Sequence, residues 1–194
     1  MTKWLSLMVL AAGLVAFGPV QAQQAVEMEG QKFEPTVVVG GQTLTLNGVG
    51  LRKRAVFKVY VAGLYAGQKS TSAATIVNDK GARRVSLRML RDVEAQSFID
   101  SFNEGLKNNT PEAQLNAMKP QVDALVATLK SIGEAKKGDV INFDYTPDGG
   151  TRITLNGQPK GNAIPGADFF SAVLRIWLGD KPADEALKKG MLGA

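Results

Sequence analysis

Polar and apolar residues along the chain change period several times, and each change marks an element. After a polar lead-in over residues 23–36, Val37-Val38-Val39 and Thr43-Leu44-Thr45-Leu46 are short β-prone pieces split by Gly40-Gly41, and Asn47-Gly48 reads as a turn. This predicts a hairpin. From Ala55 to Ala66 apolar residues occupy both alternating faces, Phe57, Val59, Val61 and Tyr65 on one and Val56, Tyr60 and Ala62 on the other, as in a central strand covered on both sides. Arg83 to Arg91 alternates, with Val85, Leu87 and Met89 opposite Ser86, Arg88 and Leu90.

The period then becomes helical. Ala95, Phe98, Phe102 and Leu106 form one stripe, and Thr110-Pro111 offers an N-cap and N1 proline to a second helix carrying Leu115, Met118, Val122, Leu125 and Leu129. Strand spacing returns at Val140, Ile141, Phe143 and Tyr145, passes through Pro147-Asp148-Gly149-Gly150 into Thr151, Ile153 and Leu155, and ends at Asn156-Gly157. A last helix, Ala167 to Leu178, contains Phe169, Phe170, Val173, Leu174 and Trp177; a short amphipathic tail, Pro182 to Leu192, has acids early and lysines late, as the helix dipole favours. Strands, helices, strands and helices in this order predict an α+β fold with an antiparallel sheet covered by helices.

Residues 1–22 fit none of this. Lys3, the apolar run Trp4 to Phe17, Gly18-Pro19 and the small-residue site Val20-Gln21-Ala22 have the form of a secretory leader cleaved before Gln23. The expectation is an exported, periplasmic protein with a single domain over residues 23–194 and no stable membrane span after cleavage. The formal charge of +5 is small and spread along the chain, so nucleic acid is not an expected partner. Cysteine and histidine are both absent. Disulfides, thiolate chemistry, Ser-His-Asp systems, imidazole metal sites and a proximal histidine for haem are thereby excluded. No metal site is expected.

The glycine-rich pieces Gly48-Val49-Gly50 and Gly149-Gly150 precede no helix and read as turns rather than phosphate loops. Asp139, Asp144 and Asp148 read as solvated hairpin charges, without the spacing of a calcium loop. The cluster Arg52-Lys53-Arg54 before a buried strand leaves two readings open. All three cations sit in water, or one, Arg52, turns into a cleft where a guanidinium would match a carboxylate or enolate. Tyr60 is by default a core residue and Asn103 a solvated helical position, each with a ligand hydrogen bond as its alternative.

The pieces GVGLRKRAVFKVYVAGLYAG, RDVEAQSFIDSFNEGLKNN, KKGDVINFDYTPDGGTRITLNGQPKG and IPGADFFSAVLRIWLGDKPADEALKKGMLG resemble, in order and spacing, the bacterial exported branch of the chalcone isomerase-like proteins. The most specific parts are the G-x-G-x-R turn leading to VYVAGLY and the segment IWLGDKP. The resemblance implies a large antiparallel sheet with helices packed on one face and a ligand cleft between them. In plant members of the family with isomerase activity an arginine steadies the substrate oxyanion, helped by a tyrosine, a threonine and an asparagine. Relatives without it bind fatty acids through the same arginine, and some are associated with haem.

That arginine carries over to Arg52. The threonine position is Tyr60, and the helical segment that begins with the catalytic tyrosine and ends with the asparagine reads Gln96-Ser97-Phe98 through Asn103, so the tyrosine is missing while Asn103 matches. Ser171-Ala172-Val173 replaces a substrate-contacting polar-Met pair. The expectation is a non-catalytic protein that needs no cofactor and binds a small amphipathic ligand, fatty acid-like, through Arg52, Tyr60 and Asn103. Haem, with propionates on Arg52, is the variant ligand. The alternative is an isomerase, an intramolecular lyase acting on a chalcone-like ketone, with Arg52 as the catalytic residue.

Overall fold

A computed structural model describes residues 24–194. The leader expected at residues 1–22 lies outside the described residues. Seven antiparallel strands follow one another in chain order across one sheet: β3 (Thr36–Val39), β4 (Gln42–Arg54), β5 (Phe57–Ala66), β6 (Arg83–Met89), β7 (Val140–Thr146), β8 (Gly150–Leu155) and β9 (Gln158–Ile164). A separate hairpin, β1 (Val26–Met28) and β2 (Gln31–Phe33), precedes them. The helices are α1 (Ala73–Asn78), α2 (Ala95–Asn109), α3 (Glu112–Ala117), α4 (Lys119–Ile132), α5 (Ala167–Leu178) and α6 (Glu185–Met191).

The two faces of the sheet carry separate cores. On one, Tyr60, Ala62, Leu64, Val85, Leu87 and Phe143 pack against the apolar stripes of α2, α4 and α5. On the other, Leu44, Leu46, Val49, Val61 and Tyr65 surround Phe33 of the β1–β2 hairpin. β5 is thus covered on both sides, which explains why both of its parities are apolar. The sheet curls, bringing Gly40 at the end of β3 against Thr146 at the end of β7.

Four expectations need correction. Neither Asn47-Gly48 nor Gly48-Val49-Gly50 is a turn: β4 runs straight through them, with a bulge where the register against β5 steps between Leu46 and Gly48. Ala55 and Val56 are not strand residues but the turn between β4 and β5, so Arg52-Lys53-Arg54 closes β4 and precedes the buried strand β5 only across that turn. The helix expected after Thr110 is two, α3 and α4, broken at Met118 where Pro120 starts a new helix; Thr110 ends α2 and makes no cap. Asp144 is not a free hairpin charge, because Arg84 grips it through Nε and Nη2 at 2.5 and 2.6 Å.

The bulge decides which way the site residue points. Leu44 and Leu46 face the β1–β2 side. Without an extra residue Arg52, which has the same parity, would face that side too. The bulge at Asn47 inverts the parity. Val49 joins the β1–β2 core, while Gly48, Gly50 and Arg52 turn toward the helices. Asn47 holds it in place: its Nδ2 donates to the carbonyls of Ser70 (3.0 Å) and Met191 (2.8 Å), and its Oδ1 accepts from the Ser70 N–H (2.7 Å). A buried amide so fully satisfied fixes the strand, the loop before α1 and the end of α6 together.

Candidate functional site: a cleft floored by Arg52, Tyr60 and Trp177

A cleft of about 740 Å³ opens between the β4–β5 hairpin and helices α2 and α5. Its floor is built by register. Arg52 and Tyr60 are paired across β4 and β5, so both side chains project to the helix side. From α5, Trp177 meets them: its indole N–H donates to the Tyr60 hydroxyl at 3.0 Å. Phe102 stands edge-on to Trp177, with centroids 5.6 Å apart and planes at 85°, and stacks on Phe143 at 5.2 Å. Trp177 and Phe143 are fully buried, so the cleft ends on a packed aromatic wall.

Arg52 is half-sheltered, its side chain 22% exposed. One nitrogen, Nη1, donates to the carbonyl of Lys53 at 2.7 Å and lies 3.7 Å from a carboxylate oxygen of Asp184. Asp184 is held in turn. It caps α6 by accepting from the Leu187 N–H (3.0 Å) and also accepts the backbone N–H of Lys53 (3.2 Å). The guanidinium is therefore positioned by a carboxylate that is itself fixed by two backbone donors, and a planar fork with donors to spare remains for an acceptor in the cleft.

Tyr60 is buried beneath it. Burial holds the phenol above its ordinary value of 10.0, against the opposing pull of the Trp177 N–H and of the Arg52 charge. The hydroxyl is thus a neutral hydrogen-bonding group at physiological pH, not a base. A raised folded value means that the folded state keeps its proton longer than the unfolded chain. This contribution to stability is complete below about pH 10 and is lost as pH rises through the folded value. In an alkaline titration followed by phenolate absorbance and circular dichroism, the Tyr60 phenolate is expected to appear only as the fold is lost. Tyr60→Phe should flatten the alkaline decline in stability; an unchanged decline contradicts the assignment.

Arg52 and Tyr60 are brought together, whereas Asn103 is exposed and lies apart from the cleft lining. Phe98 and Phe102 point inward from α2, and a residue one step beyond Phe102 is turned about 100° around the helix, toward solvent. Ser97, Ser101 and Asn108, not Asn103, are the uncharged polar side chains that line the cleft from α2. Ser171 is elsewhere too, its hydroxyl donating to the carbonyl of Val77 at 2.8 Å. Trp177 and Asp184 were not singled out by sequence reasoning. Trp177 lies in the IWLGDKP segment and meets Tyr60 on β5, and Asp184, two residues beyond that segment, meets Arg52 on the G-x-G-x-R strand.

No helix of the described residues is long and apolar enough to cross a membrane. Among solved structures the chain is similar to a fatty-acid binding protein of Arabidopsis thaliana, with a TM-score of 0.65 at 16% sequence identity over 87% of this chain and 96% of that one. Both share the curled antiparallel sheet with helices on one side. No curated protein matches the sequence. The family model described as chalcone isomerase-like matches residues 25–193, all but the first and last of the described residues, and the chain therefore belongs to the chalcone isomerase-like family.

Proposed function

We propose that the protein is a non-catalytic binding protein of the periplasm, exported by the leader-like segment at residues 1–22, whose cleft takes a small amphipathic ligand with a carboxylate or similar oxygen group. The observation that carries this reading is the half-sheltered Arg52 guanidinium set beside the Tyr60 hydroxyl at the foot of an aromatic-walled cleft. A charged group next to an apolar wall suits a ligand with one anionic end. The similarity to a fatty-acid binding protein supports the same class. Binding rather than isomerisation is favoured because the positions of the catalytic threonine and tyrosine are held here by Tyr60 and by Gln96 or Ser97.

Native mass spectrometry of the protein purified from its own host, followed by titration with oleate, tests this. A bound small molecule is expected, with oleate affinity falling about tenfold or more in Arg52→Ala through loss of a charge-assisted hydrogen bond. A Soret band in the purified protein would identify haem as the occupant, with its propionates at Arg52. Turnover of a chalcone by the wild type, lost in Arg52→Ala, would replace the binding reading with the isomerase one. An empty cleft and no oleate binding would refute both forms of the binding proposal.

A further inference from the structure

The β4–β5 turn presents apolar side chains to water where the fold gives no reason to. Val56 is 87% exposed and Phe57 56%, two of the four large hydrophobic residues left exposed among the described residues, and they are adjacent. Ala55 turns the chain in the left-handed region (φ 51°), so Val56 stands at the tip of the hairpin. Cations frame the tip. Lys53 and Arg54 precede it, Lys58 follows it, and the Arg91 guanidinium lies 4.7 Å from the centre of the Phe57 ring.

No Asp or Glu occurs between residues 48 and 67. Lys58 is paired with Glu29 and Arg52 with Asp184, but the side chains of Lys53, Arg54 and Arg91 have no carboxylate within 4.0 Å among the described residues. The carboxylates at the mouth of the cleft, Asp92, Glu94, Glu104 and Glu134, come from other elements.

We propose that this hairpin tip docks the protein on an anionic lipid surface. Long cationic side chains around one or two apolar residues place ammonium and guanidinium groups at the phosphate level while the apolar tip enters the acyl boundary. A protein partner fits less well. A stable protein interface needs about 800 Å² per side, whereas a single turn standing clear of the sheet offers two apolar side chains and suits a deformable surface. Phe57 and Arg54 also line the mouth of the cleft. Docking by the tip therefore turns that mouth to the bilayer, where an amphipathic ligand can pass between membrane and cleft; this last step rests on the binding function proposed above.

Flotation of the purified protein with vesicles of phosphatidylglycerol and phosphatidylethanolamine tests the docking, with pure phosphatidylcholine vesicles as the neutral surface. Binding is expected to the anionic vesicles, to weaken with salt and to be largely absent on phosphatidylcholine. Val56→Asp should weaken it about tenfold or more and Lys53→Ala about fivefold. Neither side chain lines the cleft, so both variants should take up oleate in vesicle-free solution as the wild type does. Failure of the wild type to bind anionic vesicles, or wild-type binding by Val56→Asp, overturns the proposal. Loss of a protein complex in Val56→Asp with vesicle binding intact would assign the tip to a protein partner instead. Vesicle docking lost in Val56→Asp, in a wild type that takes up no oleate, leaves the docking standing and removes only the ligand reading.

Discussion

Arg83→Ala is expected to destabilise the protein by about 3–5 kcal/mol, although Arg83 lies outside the cleft. Its side chain is fully buried, with the guanidinium carbon 5.1 Å from the ring centroids of both Tyr145 and Phe170; the two rings stack on each other at 5.2 Å, and the guanidinium packs beside the pair. It donates through Nη1 to the carbonyls of Ile76 (3.1 Å) and Val77 (3.3 Å) and through Nε to that of Gly81 (3.2 Å). The first two are among the last carbonyls of α1, which have no partner within their own helix and carry the negative end of its dipole.

Burial lowers the pKa of Arg83, and the charge of Asp79 opposes this; a guanidinium stays protonated at neutral pH under either influence. Truncation takes the Arg83 donor from the Ile76 carbonyl, leaves Val77 only the Ser171 hydroxyl, and opens a void beside two stacked rings at once. Arg83→Lys should recover only part of the loss, because an ammonium lacks the planar face that packs beside the rings and cannot serve several carbonyls as a fork does. Urea denaturation of the two variants beside the wild type measures this, and a loss below about 1 kcal/mol for the alanine variant would show that the buried charge is not what holds α1 to the sheet.

Arg83 also shows where the sequence was legible. The alternation of Val85, Leu87 and Met89 placed β6 and its buried face, because a half-covered strand writes its burial directly into period two. The helical stripe of Phe98, Phe102 and Leu106 did the same for α2. That Arg83 itself shares the buried face follows from the same parity, but nothing local announces its partners on α1 and α5. β9 was missed because Gln158-Pro159-Lys160-Gly161 is polar and broken by proline and glycine, which an edge strand exposed over most of its length tolerates.

The site was legible only in its residue types. An Asn-Gly pair favours a tight turn, and Asn47 escapes it through hydrogen bonds to Ser70 and to Met191, 144 residues away. The direction of Arg52 depends on that distant contact, which is why the residue pattern left it open and family resemblance was needed to select it. The resemblance also proposed Asn103, and there the matched position falls on the outer side of α2.

Gly50→Ala is the substitution that should disturb fold and cleft together, costing about 3 kcal/mol. Gly48 and Gly50 face α6, which crosses β4 so closely that a Cβ on Gly50 would overlap the backbone of Leu187, and one on Gly48 the carbonyls of Gly190 and Met191. The approach is reciprocal, since a Cβ on Gly190 would meet the carbonyl of Val49. Backbone atoms cannot rotate away as a side chain can, so relief requires α6 to move as a body. The residue that starts α6 is Asp184, whose carboxylate positions Arg52. The glycines of the G-x-G-x-R strand thus bring to its arginine the carboxylate that orients it. Gly50→Ala should weaken oleate binding as well as stability, although Gly50 does not line the cleft. Gly67→Ala is the matched control: a Cβ there meets nothing within 4 Å, and it should stay within about 0.5 kcal/mol of the wild type. Urea denaturation and oleate titration of both variants separate the outcomes. Equal stability for the two would mean that α6 is free to shift, and that the glycines are not what sets the place of Asp184 against Arg52.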